Sequence, residues 1–299
     1  KDKKTAKISN NKNMKTFASY SLVKTMRGSI LVLGPLISKF HKSKTSLPGG
    51  CLIGARPVNY HLSALKKLGM EYKIRDGYIL AKSNGRLKGK KINFPKISVG
   101  ATENSIIAAC LARGKTILKN CAIEPEIKDL ISFLIKLGAN IKLDGRTIII
   151  NESINKKLKV NHKVMFDRIE AGTYLCAGAI TNTQLTIENV IPMHLDAVLS
   201  KFQEMGFPIQ KNENSVTILP AQEIKPAHIV TTEYPGFPTD MQAQFMALAT
   251  QGEGTSTIDE RLFENRYMHV SELVRMGADI HLNGNIASIH GKKGNLSAT

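Results

Sequence analysis

Tryptophan is absent from the 299 residues, and aromatic side chains make up only 6% of them. That leaves little with which to stack bases, so a nucleic-acid platform is disfavoured despite a net charge of +18. Four cysteines (Cys51, Cys110, Cys121, Cys176) stand far apart without a C-x-x-C pair, which excludes a zinc ribbon and a thioredoxin motif. A chain of this length folds without disulfides, and a reduced, cytoplasmic compartment fits the scattered thiols. Long apolar runs are also missing. The most apolar stretch, Ile30 to Ile37, holds Gly34 and Pro35 and is far short of a membrane span. No signal peptide is visible and no G-x-G-x-x-G follows a strand. Arg113-Gly-Lys-Thr116 fails as a phosphate loop, because Ala109 occupies the required upstream glycine position. His61, His194 and His269 sit at loop-to-helix entries without metal spacing and read as structural hydrogen-bonding residues; no metal or other cofactor is expected.

Acidic residues are scarce in the first half. Residues 1–165 carry 33 Lys+Arg against 9 Asp+Glu, whereas 166–299 carry 9 against 15. Two readings stand side by side: compositional bias, or a basic cleft that draws phosphorylated or carboxylated substrates. The chain starts at Lys1 without a methionine and stops at Thr299 in mid-pattern, so a piece of a longer protein is expected.

Internal repetition organises what is present. Ser63–Gly69, Ser132–Gly138, Ser200–Gly206 and Ser271–Gly277 each read as the end of an amphipathic helix closed by glycine, and the closing glycines recur every 69, 68 and 71 residues. Only glycine takes the left-handed helix-ending conformation at little cost. A short strand follows each glycine, then Asp76-Gly77, Asp144-Gly145, Glu213-Asn214 or Asn283-Gly284, then an apolar return strand. Three of these pairs are type I′ hairpin candidates. Ahead of each unit runs a more apolar helix (Leu22–Ile37, Ala101–Leu111, Gly172–Ile180, Met241–Leu248), apolar on most faces and so expected inside. The pattern predicts an α/β protein of β-α-β-α-β-β repeats in two domains, 1–165 and 166–299, divided where the charge changes sign.

Leu47-Pro-Gly-Gly-Cys51-Leu-Ile-Gly-Ala-Arg56-Pro57 is the most unusual segment: three glycines and two prolines frame a loop with Cys51 at its tip. Nearby Lys44 and Arg56 favour the thiolate, making Cys51 a candidate acid or nucleophile, against the alternative of an incidental surface cysteine. Arg27, Lys96, Arg168 and Asp240 occupy corresponding places at or before the inner-helix starts, where free N–H groups attract anions. For Asp240 simple capping competes, since Thr239-x-x-Gln242 has the form of a capping box. For Arg266 the competing reading is an ion pair with Glu264 or a solvated side chain.

The stretches Leu22–Ser29, Leu47–Val58, Asn93–Asn104, Asp167–Glu170, Phe237–Gln244 and Phe263–Val270 together resemble the UDP-N-acetylglucosamine 1-carboxyvinyltransferase (enolpyruvyl transferase) family, along essentially the whole chain. The resemblance implies a two-domain inside-out α/β barrel built from repeats. It also implies transfer of the enolpyruvyl group of phosphoenolpyruvate to the sugar 3-hydroxyl of UDP-N-acetylglucosamine, with release of phosphate, as a committed step of peptidoglycan synthesis. Cys51 then falls on the proton donor and fosfomycin target, and Asp240 on the general base. UDP-sugar contacts fall on Arg27, on Arg56, Pro57, Val58, Asn59 and Tyr60, on Lys96, Ile97, Ser98 and Val99, and on Leu262. Arg56 also falls near the phosphoenolpyruvate phosphate, and Arg266 falls on the holder of the carboxylate. Asn59 and Tyr60 replace the family's usual aspartate-leucine, which alters a uridine-side contact. The family's N-terminal lysine-asparagine pair and its late arginine have no counterpart here. The expected partners are the two substrates, with no nucleic acid and no membrane; the oligomeric state stays open. A non-catalytic UDP-sugar binder and a shikimate-3-phosphate enolpyruvyl transferase are the competing functions.

Overall fold

A computed structural model describes residues 5–8, 14–24, 26–49, 58–153, 159–292, 294 and 296–297. The first repeat sets the pattern. Strand β1 (Phe17–Ala18) leads through helix α1 (Tyr20–Val23), a 3-10 turn (Arg27–Val32) and helix α2 (Leu33–Phe40) to β2 (Lys42–Ser46). Helix α3 (Asn59–Lys67) and the hairpin β3 (Met70–Arg75) and β4 (Tyr78–Ser83) complete it. The second repeat runs β5 (Lys91–Asn93), α4 (Val99–Ala109), β6 (Thr116–Lys119), α5 (Pro125–Lys136), β7 (Asn140–Asp144) and β8 (Thr147–Asn151). The third runs α6 (Arg168–Ile180), β9 (Leu185–Glu188), α7 (Asp196–Glu204), β10 (Ile209–Lys211) and β11 (Ser215–Ile218). The fourth runs β12 (His228–Thr231), a 3-10 turn (Thr239–Met241) leading into α8 (Gln242–Ala249), β13 (Gly254–Glu260), α9 (Val270–Arg275), β14 (Asp279–Asn283) and β15 (Ile286–Gly291).

Each repeat builds one sheet. The orders are β1-β2-β4-β3, β5-β6-β8-β7 and β12-β13-β15-β14, with the first two strands parallel and the hairpin antiparallel. The third sheet, β10-β11-β9, lacks the leading strand among the described residues, a departure from the repeat read in the sequence. The inner helices are buried on most faces: in α4, Ala101, Thr102, Asn104, Ser105, Ile106, Ala108 and Ala109 are all inside. The outer helices bury one stripe, as α7 does with Val198, Leu199 and Phe202. All four closing glycines have positive φ, from 95° to 109°.

Two local expectations are corrected. The segment Leu22–Ile37 is not one helix but α1, the 3-10 turn and α2, because Lys24 to Gly28 interrupt the apolar pattern and Gly34-Pro35 suit only a first turn. Of the three glycine hairpins, only Asp76-Gly77 has positive φ at both central residues, as type I′ requires. In the other two the pairs Asp144↔Thr147 and Asn283↔Ile286 close the ladder one residue later. Gly145 and Gly284 therefore take the first central position, the place that type II′ reserves for glycine.

The chain divides into two compact units. One comprises the described residues up to Cys121 together with Leu130–Val160; the other comprises Ala122–Asp129 and the chain from Asn161. The first is cored by Leu33, Ile37, Leu65, Ile79, Ile106 and Ile148. The second centres on Phe245, whose ring lies 4.7 Å from Phe202 and 5.0 Å, edge-on, from Phe237. Each such buried ring or branched side chain contributes about 1.5–3 kcal/mol. Phe237 thereby anchors the segment that leads to Asp240.

Candidate active site

In the first unit the expected substrate contacts gather at helix starts, where backbone N–H groups lack helical partners. Val58 precedes α3 and accepts Leu62 N–H at 3.0 Å, and Asn59 and Tyr60 form the first turn. Ser98 caps α4, its hydroxyl accepting from Ala101 N–H at 3.4 Å, with Val99 the first helical residue and Lys96 and Ile97 in the connection before it. A cavity of about 360 Å³ is lined by Asn59, Tyr60, Lys67, Asn93, Phe94 and Pro95, so α3 and the approach to α4 share one concave surface. Arg27 opens the 3-10 turn, half-buried. Cys51, Arg56 and Pro57 lie outside the described residues.

His61 and Asn104 tie these starts together. Asn104 is fully buried; its Oδ1 accepts Gly34 N–H at 2.8 Å, while its Nδ2 donates to Ile30 O at 3.2 Å and to His61 Nδ1 at 3.1 Å. That arrangement leaves the imidazole proton on Nε2, on the ring edge facing Gly100 at the start of α4. Burial first, and the Arg27 charge second, push the His61 pKa down to about 4. The expected consequence is a pH-dependent stability. Between pH 6.5 and about 4 the unfolded chain binds the proton and the folded one does not, so stability drops by roughly 3 kcal/mol as pH falls through that window. Urea midpoints taken from pH 7 to 4 should decline more steeply for the parent than for His61→Gln; parallel curves would show that His61 is not the group responsible.

In the second unit three expected residues come together. Asp240 lies in the 3-10 turn before α8, and its Oδ1 accepts from Arg266 Nη2 at 2.5 Å. Arg266 is thus paired with Asp240, not with Glu264 as the competing reading had it, and its guanidinium carbon lies 5.6 Å from the centre of the Phe263 ring. The capping box is overturned. The Thr239 hydroxyl donates instead to Glu260 Oε2 at 2.7 Å, and Gln242 is buried against the Tyr267 hydroxyl. Burial pushes that phenol up to about 12. Leu262 stands two residues after Glu260, its N–H donating to Glu260 Oε1 at 2.9 Å.

Arg168 is the first residue of α6, after a true cap: Asp167 Oδ1 accepts Ile169 N–H at 2.8 Å and Glu170 N–H at 3.0 Å. Its Nε donates to Glu126 at 3.0 Å, and a cavity of about 150 Å³ opens between it, His194 and Tyr234. Three thiols are inert by environment. Burial pushes Cys110 and Cys121 up to about 12, and Cys176 higher still. Among the described residues no cluster of His, Cys, Asp and Glu could hold a metal ion, and no helix is long and apolar enough to cross a membrane. Sequence reasoning missed Asn104 and Glu260. A lone asparagine in an apolar inner helix was a usable signal for the first; the Asp259-Glu260 pair at a strand end was a weak one for the second.

The full chain, 1–299, matches the family model for EPSP synthase (3-phosphoshikimate 1-carboxyvinyltransferase). It is 58% identical to the UDP-N-acetylglucosamine 1-carboxyvinyltransferase of Aliarcobacter butzleri, over 100% of this chain and 71% of that protein. It is 54% identical to the like-named protein of Pelagibacter ubique, over 97% and 70%. Among solved structures it is similar to the enolpyruvyl transferase NikO from Streptomyces tendae, with a TM-score of 0.79 at 20% identity over 93% of this chain and 66% of that one. An EPSP synthase from Acinetobacter baumannii gives 0.65 at 19% identity, over 91% and 64%. These structural likenesses show the fold: the two-domain α/β architecture of enolpyruvyl transferases.

Proposed function

Because the chain belongs to the UDP-N-acetylglucosamine 1-carboxyvinyltransferase family, a family of transferases, we propose that the enzyme carrying it moves the enolpyruvyl group of phosphoenolpyruvate onto the 3-hydroxyl of UDP-N-acetylglucosamine in peptidoglycan synthesis. The roles follow from the chemistry. Addition of the hydroxyl oxygen to C2 of phosphoenolpyruvate requires a base for the hydroxyl proton and an acid for the methylene carbon. Asp240 is the base and Cys51 the acid. Loss of phosphate from the tetrahedral adduct, with a proton leaving the new methyl group, restores the double bond. Arg266 holds the carboxylate, and Arg27, Arg56–Tyr60, Lys96–Val99 and Leu262 hold the nucleotide sugar. Fixed cations there offset charge developing on the phosphate and carboxylate. The Asp240–Arg266 pair supports this reading most directly, since it puts a carboxylate and a guanidinium at one helix start with the second carboxylate oxygen left without a protein hydrogen bond among the described residues. The cytoplasm is the compartment proposed, in keeping with the free thiols.

The chain spans about 70% of its curated relatives and just under two thirds of the solved chains. The decisive measurement is therefore phosphate release from phosphoenolpyruvate and UDP-N-acetylglucosamine, on the intact enzyme and on this chain alone. Turnover that depends on both substrates is expected of the intact enzyme, together with a fosfomycin adduct on the Cys51 peptide and on none carrying Cys110, Cys121 or Cys176. Binding of the sugar nucleotide without phosphate release would favour the non-catalytic reading, and turnover with shikimate 3-phosphate the sister reaction.

A further inference from the structure

Glu260 is a carboxylate with only 3% of its surface exposed, at the end of β13. Four donors converge on it. Oε1 accepts from the Thr231 hydroxyl at 2.8 Å, Leu262 N–H at 2.9 Å and Phe263 N–H at 3.2 Å; Oε2 accepts from the Thr239 hydroxyl at 2.7 Å. The Thr231 oxygen in turn accepts Arg261 N–H at 3.0 Å. One side chain therefore fastens three pieces of chain: the end of β12, the turn bearing Asp240, and the loop bearing Leu262.

The fold does not require an acid at this place. Asp259 pairs with Ile286, the first residue of its hairpin's return strand, and Ser46 pairs with Tyr78 in the same way. The following residue is Glu260 in the fourth repeat and Leu47 in the first. Burying a carboxylate costs several kcal/mol unless hydrogen bonds replace its water. Here it is matched by four donors, three of them drawn from the two segments that carry expected site residues. A carboxylate is acceptor-only, so it can gather four donors where a carboxamide of the same shape would set donor against donor.

We infer that Glu260 is a positioning residue for enolpyruvyl transfer, acting through two arms: the Thr239 hydroxyl, which sets the turn and hence the Asp240 carboxylate, and the Leu262 and Phe263 N–H groups, which set the loop against the nucleotide sugar. The inference rests on the reading of Asp240 as base and Leu262 as a sugar-nucleotide contact. The arms separate by experiment, because displacing a base lowers kcat whereas displacing a ground-state contact raises KM.

The test is steady-state kinetics of Thr239→Val, Thr239→Ser, Glu260→Gln and Asp240→Asn in the intact enzyme. Thr239→Val, which removes one hydroxyl at constant shape, is expected to lower kcat about 10- to 100-fold with the UDP-N-acetylglucosamine KM within about threefold. Thr239→Ser, which keeps the hydroxyl, is expected to stay within about threefold of the parent, and Glu260→Gln to lower kcat and raise KM about fivefold or more. Full kcat in Thr239→Val alongside a dead Asp240→Asn overturns the clamp alone. So does a Thr239→Ser variant as slow as Thr239→Val, which would mark a general packing role. Full kcat in Asp240→Asn overturns the reading of Asp240 beneath it.

Discussion

Asp240→Asn in the intact enzyme is expected to lower kcat by about 10²- to 10⁴-fold, the span typical of a lost general base. The geometry explains why so small a change should matter. Arg266 occupies Oδ1, and Oδ2 has no protein hydrogen bond among the described residues, so one oxygen is oriented and the other is open to the hydroxyl proton that the proposed reaction hands to it. A carboxamide keeps an acceptor for Arg266 but cannot accept that proton. Stability should hardly move. The Asp240 side chain is 56% exposed, and exposed ion pairs are worth about 1 kcal/mol or less. The diagnostic result is thus a slow enzyme with an unshifted urea midpoint. If Asp240→Asn retains more than about a tenth of kcat, the proton goes elsewhere and Asp240 only holds Arg266.

Asn104→Leu has the opposite signature, a large stability loss. The two side chains share a branched skeleton, but the leucine methyl groups are bulkier, so crowding against Gly34 adds to the loss. What disappears is the side-chain partner of Gly34 N–H and His61 Nδ1, together with one of the two donors to Ile30 C=O, which keeps Leu33 N–H. A buried polar group left unpaired costs about 1–3 kcal/mol, so a combined loss of about 3–5 kcal/mol is expected, read as a lower urea midpoint with unchanged slope. The neighbouring contact offers a check. A Cβ at Gly34 would lie 2.2 Å from Asn104 Oδ1 and 2.7 Å from Asn104 O, so Gly34→Ala must push the two inner helices apart. The two substitutions share one contact, and their effects should fall short of additive when combined. A loss below about 1 kcal/mol for Asn104→Leu would mean that water reaches and satisfies the groups left unpaired.

Much of the architecture was legible because it is written in local chemistry. Glycines at intervals of about 70 residues end helices wherever they occur, and a helix apolar all round has nowhere to go but inside. Legibility failed where two local rules competed. Asp144-Gly145 and Asn283-Gly284 satisfy the type I′ rule as dipeptides, yet each ladder closes one residue later, on Gly145-Arg146 and Gly284-Asn285. Turn type follows strand register, and register is decided by which residues of β7, β8, β14 and β15 face the core. Thr239-x-x-Gln242 failed for a related reason. A buried carboxylate from a strand distant in sequence outcompeted the local cap for the threonine hydroxyl, since hydrogen bonds to charged groups are the stronger ones.

The residue order alone determined the repeat and the inner and outer helices, because each depends on neighbours within a turn or two of chain, whereas the candidacy of Asp240 and Arg266 came with the family resemblance. Only the tertiary structure decided that Arg266 meets Asp240 across 26 residues, that Asn104 bonds to groups 43 to 74 residues away, and that Glu260 gathers Thr231 and Thr239. Such pairings are settled by desolvation. A polar group forced inside must find whichever partner the packing brings near it, and no spacing rule along the chain says which one that will be.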